Sequence, residues 1–404
     1  MSRKRDKGRK LSREFPAPEF PRRLRKQENF SPTRALIDGR EAVLFAGNDY
    51  LGLSWHPAVI DAAGRALAEY GASAGASRLV TGNHPLYREL ESALAALKGK
   101  EAALVFPSGY MANLGLLSAL AGPGGTMDMG RTIYMDRLNH ASLYDGCRLS
   151  GVDLKRYRHG DTGHLDAILS RGRKRRVPGG AGAAKSLIVT DGVFSMDGDL
   201  APLDELERLA DEYSAMLVVD DAHGTGVIGP EGRGTAAQLG VEPDVEVGTM
   251  SKAIGSLGGF VAGSRELIDY LVNRARPFIF TTGLPPAAVA AATAAVGLFK
   301  EEAWRRERVL DLAARARTEL AASGFETPAG FTPIIPVIAG DESLAVKLSE
   351  LCLERGVFIP AIRTPAVPRG RARLRMTVSA AHSDEELARA IDAVTESAGE
   401  LALI

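Results

Sequence analysis

The sequence predicts an α/β fold, with a mainly parallel sheet in a large domain and a smaller α+β domain after it. Short β-branched runs alternate with amphipathic stretches, and 404 residues with 45% hydrophobic content exceed what one core usually organises. Near residue 290 the sequence becomes Ala- and Arg-rich. We therefore expect an N-terminal extension over residues 1–44, a large domain over 45–290 and a small C-terminal domain over 291–404.

Five runs rich in Val, Ile and Leu predict the strands of the large domain. They are "AALVF" (102–106), "TIYMD" (132–136), "SLIVTDG" (186–192), "AMLVVDD" (215–221) and "VEVGTM" (245–250). Helical patterns such as "HPLYRELESALAALKGK" and "PLDELERLADEY" lie between the strands. This alternation predicts a parallel sheet that helices cover on both faces.

The C-terminal part shows a different order of elements. One long helical pattern covers residues 287–320, and "TPIIPVIAG", a helix, "ARLRMTVSA" and a last helix follow. Two strand patterns flanked by helices predict the smaller α+β domain.

Composition argues against several classes of function. The 50 basic and 50 acidic residues cancel, so the molecule has no overall attraction to nucleic acid or anionic membranes. No run approaches the ~20 apolar residues of a membrane span, and we expect the basic N-terminal tail to be solvated. Cys147 and Cys352 lie too far apart for a disulfide framework or a spaced metal site. We expect a cytoplasmic protein without a metal centre.

Chemically active residues follow each predicted strand. Ser108 and Gly109 open a helix after the first strand, His140 follows the second, and Ser195 follows the third. The fourth strand ends in two adjacent aspartates, Asp220 and Asp221, one of which is a candidate together with His223. Lys252 follows the fifth strand. Alone, Ser108 predicts an ordinary N-cap and His140 a structural histidine. Ligands of parallel sheets bind beyond the carboxyl ends of the strands, so together these residues predict one site.

The segment "GTGVIG" (224–229) matches a dinucleotide-binding pattern but not its context. Pro230, Gly232 and Gly234 follow where that fold needs a helix. A nicotinamide site is therefore not expected.

Pyridoxal 5′-phosphate (PLP) fits this set of residues. A helix start can hold its phosphate, a lysine can bond its aldehyde, and a carboxylate can keep its pyridinium nitrogen protonated. The stretch "GTMSKAIGSLGGF" (248–260) surrounds Lys252 with small residues, which leaves room for the ring. Crowding there predicts a lowered pKa for the lysine.

From about residue 45 onward the chain resembles the α-oxoamine synthases. The motifs that carry the resemblance are "NDYLGLSWHP" (48–57), "GASAGASRLVTGNH" (71–84), "SGYMAN" (108–113), "DRLNHASLYDG" (136–146), "GVFSMDGDLAPL" (192–203), "VDDAHGTGVIGPEGRG" (219–234), "GTMSKAIGSLGG" (248–259) and "RPFIFTTGLPP" (276–286). The resemblance implies a PLP-dependent transferase of fold type I, with a seven-stranded type of sheet. Members condense an amino acid with an acyl-CoA and release carbon dioxide and CoA.

The resemblance also implies roles for residues around the cofactor ring. Lys252 is expected to bond the cofactor and later to remove the α-proton of the amino acid. Asp220, three residues before His223, is expected to pair with the pyridinium nitrogen. His223 and Ser195 are expected near the phenolic oxygen, and His140 on the ring face. The implied catalytic residues are therefore Lys252, His140, Asp220 and His223.

Further roles concern the phosphate and the substrate. The phosphate is expected on Ser108, Gly109, Tyr110 and Thr249, with Thr282 supplied by the partner subunit of a homodimer whose active sites are shared. The amino-acid carboxylate is expected on Arg363 with Asn48. Ala366 stands where alanine-using members usually have a threonine hydroxyl against the substrate.

The stretch "AIRTPAVPRGRARLRMTVSAAH" (361–382) resembles the family members that join L-alanine to a pimeloyl thioester in biotin biosynthesis. The expected acyl carrier is CoA or an acyl carrier protein. The alternative is a member that uses glycine or serine with a different acyl-CoA, of the 2-amino-3-oxobutyrate CoA ligase or serine palmitoyltransferase type. A catalytically silent homologue would be expected to lack the lysine or the ring aspartate, and this chain has both.

Overall fold

The computed structural model describes residues 24–122, 132–174, 186–328 and 330–404. Its strands, in chain order, are β1 (Gln27–Asn29), β2 (Arg34–Ile37), β3 (Arg40–Leu44), β4 (Ala102–Phe106), β5 (Thr132–Asp136), β6 (Asp153–Tyr157), β7 (Leu187–Asp191), β8 (Met216–Asp220), β9 (Val245–Thr249), β10 (Gly259–Gly263), β11 (Ile334–Gly340), β12 (Val357–Phe358), β13 (Ala361–Ile362) and β14 (Ala372–Thr377).

The α-helices alternate with these strands through much of the chain. They are α1 (Pro57–Tyr70), α2 (Leu86–Lys98), α3 (Gly109–Ala121), α4 (Ala141–Ser150), α5 (Thr162–Lys174), α6 (Leu203–Tyr213), α7 (Thr235–Leu239), α8 (Arg265–Arg274), α9 (Arg276–Ile279), α10 (Pro286–Glu301), α11 (Trp304–Ala322), α12 (Glu342–Glu354) and α13 (Asp384–Glu400). None of the helices in the described part of the chain is long and apolar enough to cross a membrane.

A seven-stranded sheet forms the centre of the molecule, in the order β4-β10-β9-β8-β7-β5-β6. Neighbouring strands from β9 to β6 are parallel, whereas β10 runs antiparallel to both β4 and β9. The predicted mainly parallel sheet is confirmed, and all five predicted strands are present. The sequence patterns missed β6 and β10.

Apolar spacing explains how the helices cover this sheet. In α6 the buried residues Leu203, Leu206, Leu209 and Ala210 recur at helical spacing, so one face packs on the sheet while acidic residues face water. Every residue of β4, β7 and β9 is buried, as expected for strands with helices on both faces.

The single helix predicted over residues 287–320 is wrong. α10 ends at Glu301 and α11 begins at Trp304, because the backbone of Glu302 leaves the helical region at φ −119° and ψ 51°. The break lets the Glu302 carboxylate accept hydrogen bonds from Arg305 at 2.5 Å and from His56 at 3.2 Å. These contacts fasten the start of α11 to the segment before α1.

The N-terminal extension has regular structure where it is described. β1, β2 and β3 form a sheet that β12 completes by pairing in parallel with β3. β11, β14 and β13 form a third sheet in the C-terminal part. Residues 1–23, which include most of the basic tail, lie outside the described residues. The division at residue 290 stays a prediction.

His382 joins the C-terminal part to β3. Its ring stacks on Phe45 with centroids 4.1 Å apart, its Nδ1 accepts a hydrogen bond from the Ser379 N–H, and its Nε2 lies 3.0 Å from the Leu44 carbonyl oxygen. The bond to Ser379 requires a neutral ring with the proton on Nε2. Burial lowers the pKa of His382 to about 4, although the Glu386 carboxylate opposes that effect.

This depressed pKa predicts a pH-dependent stability. The unfolded chain binds the proton first, so the stabilisation from His382 is complete above about pH 6.5 and falls as the pH drops towards 4, by about 1.4 kcal/mol per pH unit. H382Q can keep both hydrogen bonds without titrating, and its urea midpoint should change less between pH 6.5 and 5 than that of the wild type. H164Q serves as the control, and equal slopes for H382Q and wild type would contradict the prediction.

Candidate active site

A cavity of about 250 Å³ lies at the carboxyl ends of the parallel strands. It brings together nine residues that the sequence predicted for the site: Ser108, Gly109, Tyr110, His140, Ser195, Asp220, His223, Thr249 and Lys252. The lining also includes residues that sequence reasoning missed: Asn113, Ser142, Asp191, Ala222 and Ser251. Ser108, His140, Ser195, Asp220 and Lys252 come from five different strand ends, so the order of the strands in the sheet brings them to one cavity.

The amino end of α3 faces this cavity. Ser108 caps the helix, since its Oγ accepts a hydrogen bond from the Met111 N–H at 3.1 Å. The N–H groups of the first helical turn have no partner within the helix, and the helix dipole favours an anion at this end. Thr249 presents its hydroxyl nearby, where it bonds Ser251 Oγ at 2.8 Å and the Gly258 carbonyl at 2.9 Å. These groups suit a phosphate.

Asp220 ends β8 with a fixed carboxylate. Its Oδ2 accepts a hydrogen bond from Asn113 Nδ2 at 2.6 Å, and its Oδ1 accepts one from the Ala222 N–H at 3.0 Å. Asn113 Nδ2 also contacts Ser142 Oγ at 2.8 Å, whereas the buried Asn113 Oδ1 has no hydrogen-bond partner among the described residues. The carboxylate is thus held in place beside an unsatisfied polar atom at the cavity wall.

The neighbouring carboxylate of Asp221 faces the opposite way. It is fully buried, pairs with Lys98 Nζ at 2.6 Å and accepts a hydrogen bond from Thr235 Oγ1 at 2.6 Å. Asp220 lines the cavity and Asp221 does not. This geometry supports Asp220 as the partner of a ring nitrogen.

Asp191 and His140 form the wall beside Asp220. Asp191 is the register partner of Asp220 in the β7–β8 ladder, and its Oδ2 accepts a hydrogen bond from the His140 N–H at 2.8 Å. Burial, with the nearby charge of Asp220, holds the pKa of Asp191 well above its usual value. His140 Nδ1 lies 2.7 Å from Ser142 Oγ, which fixes the ring at the start of α4.

Lys252 and His223 stand in a poorly solvated part of the cavity. Burial lowers the pKa of Lys252 to about 8, against the opposing effect of the Asp220 and Asp191 carboxylates. Burial also holds the pKa of His223 well below its usual value, and the positive charges of Lys252 and Arg375 add to that shift. His223 is therefore neutral near pH 7, and about one tenth of Lys252 is a free amine at that pH.

Arg375 and Tyr50 lie outside the lining of the cavity and contact the predicted residues Ser195, Asn48 and His223. Arg375 donates to the Ser195 carbonyl at 2.5 Å and to Asn48 Oδ1 at 3.3 Å, and its guanidinium lies 3.4 Å from the Tyr50 hydroxyl. That hydroxyl is 2.7 Å from His223 Nδ1. Sequence reasoning missed both residues, although an arginine within the buried strand β14 was a signal for Arg375.

Four predicted residues lie outside the lining of the cavity. Asn48 is linked to it through Arg375 and through Tyr50, whose hydroxyl donates to Asn48 Oδ1 at 3.2 Å. Arg363 is half-buried directly after β13, and its carbonyl accepts a hydrogen bond from the N–H of the exposed Ala366 at 3.0 Å. Thr282 is exposed between α9 and α10. Their contacts with ligands stay predictions.

Comparison with known proteins places this geometry in a family. The profile of aminotransferase class I and II matches residues 40–394. The chain belongs to that family. It is 48% identical to 8-amino-7-oxononanoate synthase from Geobacter metallireducens over 92% of each chain.

Solved structures agree with the family assignment. A serine palmitoyltransferase variant from S. paucimobilis with bound PLP-myriocin superposes with a TM-score of 0.87 at 34% identity, over 93% of this chain and 92% of that one. The 8-amino-7-oxononanoate synthase from Francisella tularensis gives a TM-score of 0.74 at 26% identity, over 90% and 99% of the chains. The expected resemblance to the α-oxoamine synthases, fold type I and dependence on PLP are confirmed.

The residues of the cavity fit PLP. A helix start with hydroxyls suits the phosphate, and the fixed Asp220 carboxylate suits the ring nitrogen. The unsatisfied Asn113 Oδ1 leaves a polar position for a ligand, and Lys252 lines the same cavity. These observations support the predicted roles.

The pKa of Lys252 predicts how the apoenzyme takes up PLP. Only the neutral amine attacks an aldehyde, so the bonding rate should rise about tenfold from pH 7 to 9 and then level off, as a pKa of about 8 requires. Stopped-flow absorbance of PLP mixed with apoenzyme measures this rate. K252A should remain folded and show no such bonding. A roughly hundredfold rise without a plateau would indicate an ordinary lysine and contradict the prediction.

Proposed function

We propose that the protein condenses L-alanine with a pimeloyl thioester to give 8-amino-7-oxononanoate, carbon dioxide and the free thiol, a step of biotin biosynthesis. One observation carries the proposal: relatives between 45% and 48% identical, over 90% to 95% of this chain, are 8-amino-7-oxononanoate synthases. The cavity supports it with a lysine, a fixed carboxylate and an anion-binding helix start together.

PLP supplies an aldehyde that bonds amines and a pyridinium ring that accepts the electrons of a carbanion. Lys252 would hold the cofactor before the substrate binds, and its amine, once free, would be the base that takes the α-proton of alanine. A pKa of about 8 suits both tasks, because the amine is a competent base near neutral pH and returns the proton readily.

Asp220 and His223 control the charge of the ring in this proposal. The Asp220 carboxylate, fixed by Asn113 and the Ala222 N–H, would hold a proton on the ring nitrogen. His223 is kept neutral by burial and is oriented by the Tyr50 hydroxyl, so it can share a hydrogen bond with the phenolic oxygen without adding charge. Both groups favour electron withdrawal from the α-carbon.

Arg363 and Asn48 orient the α-carboxylate of alanine. Arg375 fixes Asn48 through the Oδ1 contact at 3.3 Å, so the side-chain amide is held in place for the substrate. A guanidinium that binds the carboxylate fixes the direction of the bond between the carboxylate and the α-carbon. That direction decides which bond of the α-carbon breaks.

The condensation forms one carbon–carbon bond and breaks one carbon–sulfur and one carbon–carbon bond, while the α-carbon loses one proton and regains one. The α-carbon of alanine attacks the thioester carbonyl, and the thiol leaves with the electrons of the carbon–sulfur bond. The alanine carboxylate then leaves as carbon dioxide, and the α-carbon regains a proton from Lys252 or His140. His140, fixed by Ser142 at the cavity wall, would assist both later steps.

A homodimer with shared sites fits the exposed residues around Thr282. The large apolar side chains of Val80 and Phe280 are 74% and 69% exposed, and a partner subunit would cover them. In a dimer, Thr282 would add its hydroxyl to the phosphate site of the partner subunit. A cytoplasmic location is part of the proposal, and the two free, buried cysteines agree with it.

A serine-using activity is the second candidate, and one observation favours it. Serine palmitoyltransferases superpose with TM-scores of 0.87 at 34% to 35% identity, whereas the Francisella enzyme gives 0.74 at 26%. One methylene or hydroxyl in a pocket changes substrate preference by only about 1 to 3 kcal/mol, so overall similarity does not decide between alanine and serine.

Thiol release from pimeloyl-CoA by the PLP-loaded protein tests the proposal. We expect release that depends on L-alanine and exceeds release with glycine or L-serine. Release with serine or glycine but not alanine would favour the second candidate. A pimeloyl acyl carrier protein, compared in parallel, tests the carrier, and inactivity with both donors and all three amino acids would overturn the proposal.

Arg363 provides a separate prediction about substrate binding. R363K replaces a guanidinium, which can bind the alanine carboxylate through two hydrogen bonds, with an ammonium group that acts as a point charge. KM for alanine should therefore rise about tenfold, while the absorption of bound PLP stays unchanged. R369K changes an exposed arginine of the same loop and should leave KM within about twofold. An unchanged KM for R363K would remove Arg363 from the carboxylate site.

A further inference from the structure

A buried cluster of charges lies behind the cofactor cavity. Lys98 Nζ is 2.6 Å from Asp221 Oδ2 and 2.9 Å from Glu246 Oε2, and it donates to the Arg233 carbonyl at 2.8 Å. The side chains of Lys98 and Asp221 have no exposed surface, and that of Glu246 is 5% exposed. We call Lys98, Asp221 and Glu246 the buried charge cluster.

Stability alone does not account for this cluster. Moving three charges out of water is costly, and well-packed apolar side chains in place of a buried ion pair are often at least as stable. Burial lowers the pKa of Lys98, but its two carboxylate neighbours raise it by more, so the lysine stays charged. The cluster therefore holds one cation between two carboxyl groups inside the protein.

Glycines in the segment "AHGTGVIGPEGRG" leave room for the Asp221 carboxylate of the cluster. A Cβ at Gly234 would lie 1.7 Å from Asp221 Oδ2, and one at Gly224 would lie 2.2 Å from Asp221 Oδ1. Gly234 also has φ +110°, which other residues rarely adopt. The lack of side chains at Gly224 and Gly234 therefore lets the backbone pack directly against the Asp221 carboxylate.

That carboxylate holds the segment that carries the active-site groups. Asp221 follows Asp220 directly, its N–H donates to the Val247 carbonyl at 2.8 Å, and its carbonyl accepts from the Thr225 N–H at 2.9 Å. Its side chain accepts from the N–H and hydroxyl of Thr235 and pairs with Lys98. Asp220 and His223 lie on either side of this anchor and point into the cavity.

We propose that Lys98 is a positioning residue for PLP: its ion pair with Asp221 holds the segment 220–223 so that Asp220 and His223 meet the cofactor ring. The proposal rests on the assignment of Asp220 and His223 to the cofactor in the proposed function. It does not depend on which amino acid or thioester reacts.

The cluster also contributes to the electrostatic field at Lys252. The titratable and charged groups that act on Lys252 from the surrounding elements are Asp220, Asp191, Asp221, Arg375, His140 and His223. Removing the Lys98 cation leaves Asp221 less compensated and favours the protonated nitrogen of Lys252. Removing the Asp221 charge has the opposite effect.

The variants K98M and D221N test the proposal in the full-length protein, with K100M as the matched control. Lys100 follows the same helix but donates to the Pro243 carbonyl, a neutral group. We expect the dissociation constant of PLP to rise at least about tenfold in K98M and D221N, and to stay within about twofold in K100M. Thermal unfolding of each apoenzyme separates cofactor binding from loss of fold.

A pH titration of the visible absorption of bound PLP gives the decisive readout. The midpoint should move up in K98M and down in D221N, by roughly half a pH unit each, because the two variants remove opposite charges. General loosening of the structure would move both midpoints the same way and overturn the proposal, as would PLP affinity equal to that of K100M.

Two other possible results also decide whether the proposal holds. If K98M does not fold, D221N alone decides, since unchanged PLP affinity in D221N overturns the proposal and weakened affinity with a lowered midpoint supports it. If the wild type binds PLP but releases no thiol with any amino acid, the proposed function fails, whereas the positioning role of Lys98 is still decided by these titrations.

Discussion

The exclusion of water from the Lys252 amino group is the constraint on which the site depends. A lysine in water is almost fully protonated at neutral pH and is a poor nucleophile. Here burial lowers its pKa to about 8, while Asp220 and Asp191 prevent a larger fall. The same burial keeps His223 neutral and raises the pKa of Asp191. One poorly solvated cavity therefore lowers the pKa of both the lysine and the histidine that the proposed chemistry uses.

Parallel strand order explains how much of this site the sequence could predict. The carboxyl ends of β4, β5, β7, β8 and β9 meet along one edge of the sheet, so reading the residue after each predicted strand found Ser108, His140, Ser195, Asp220 and Lys252. The supporting residues could not be found this way. Asn113 lies inside α3, Tyr50 precedes α1 and Arg375 lies within β14, so only the folded chain brings them to the site.

The elements missed by the sequence patterns depend on tertiary contacts. β6 is an edge strand with the sequence "DLKRY", and its exposed residues give no apolar run. β10 begins and ends with glycine, which local propensity assigns to turns, yet pairing with β4 and β9 buries all of it. β12 has only two residues and pairs with β3, more than 300 residues earlier in the chain. Local pattern cannot report such pairings.

The glycines after β8 show why a short motif needs its structural context. "GTGVIG" matches a dinucleotide-binding pattern, in which glycines let a pyrophosphate approach the backbone. In this chain Gly224 and Gly234 instead make room for the Asp221 carboxylate, and no helix of that motif follows. In both cases glycine allows another group to lie close to the backbone, but in this chain that group is a side chain of the protein itself. A buried aspartate and lysine occupy this position, and the candidate cofactor cavity lies on the other side, where Asp220 lines it.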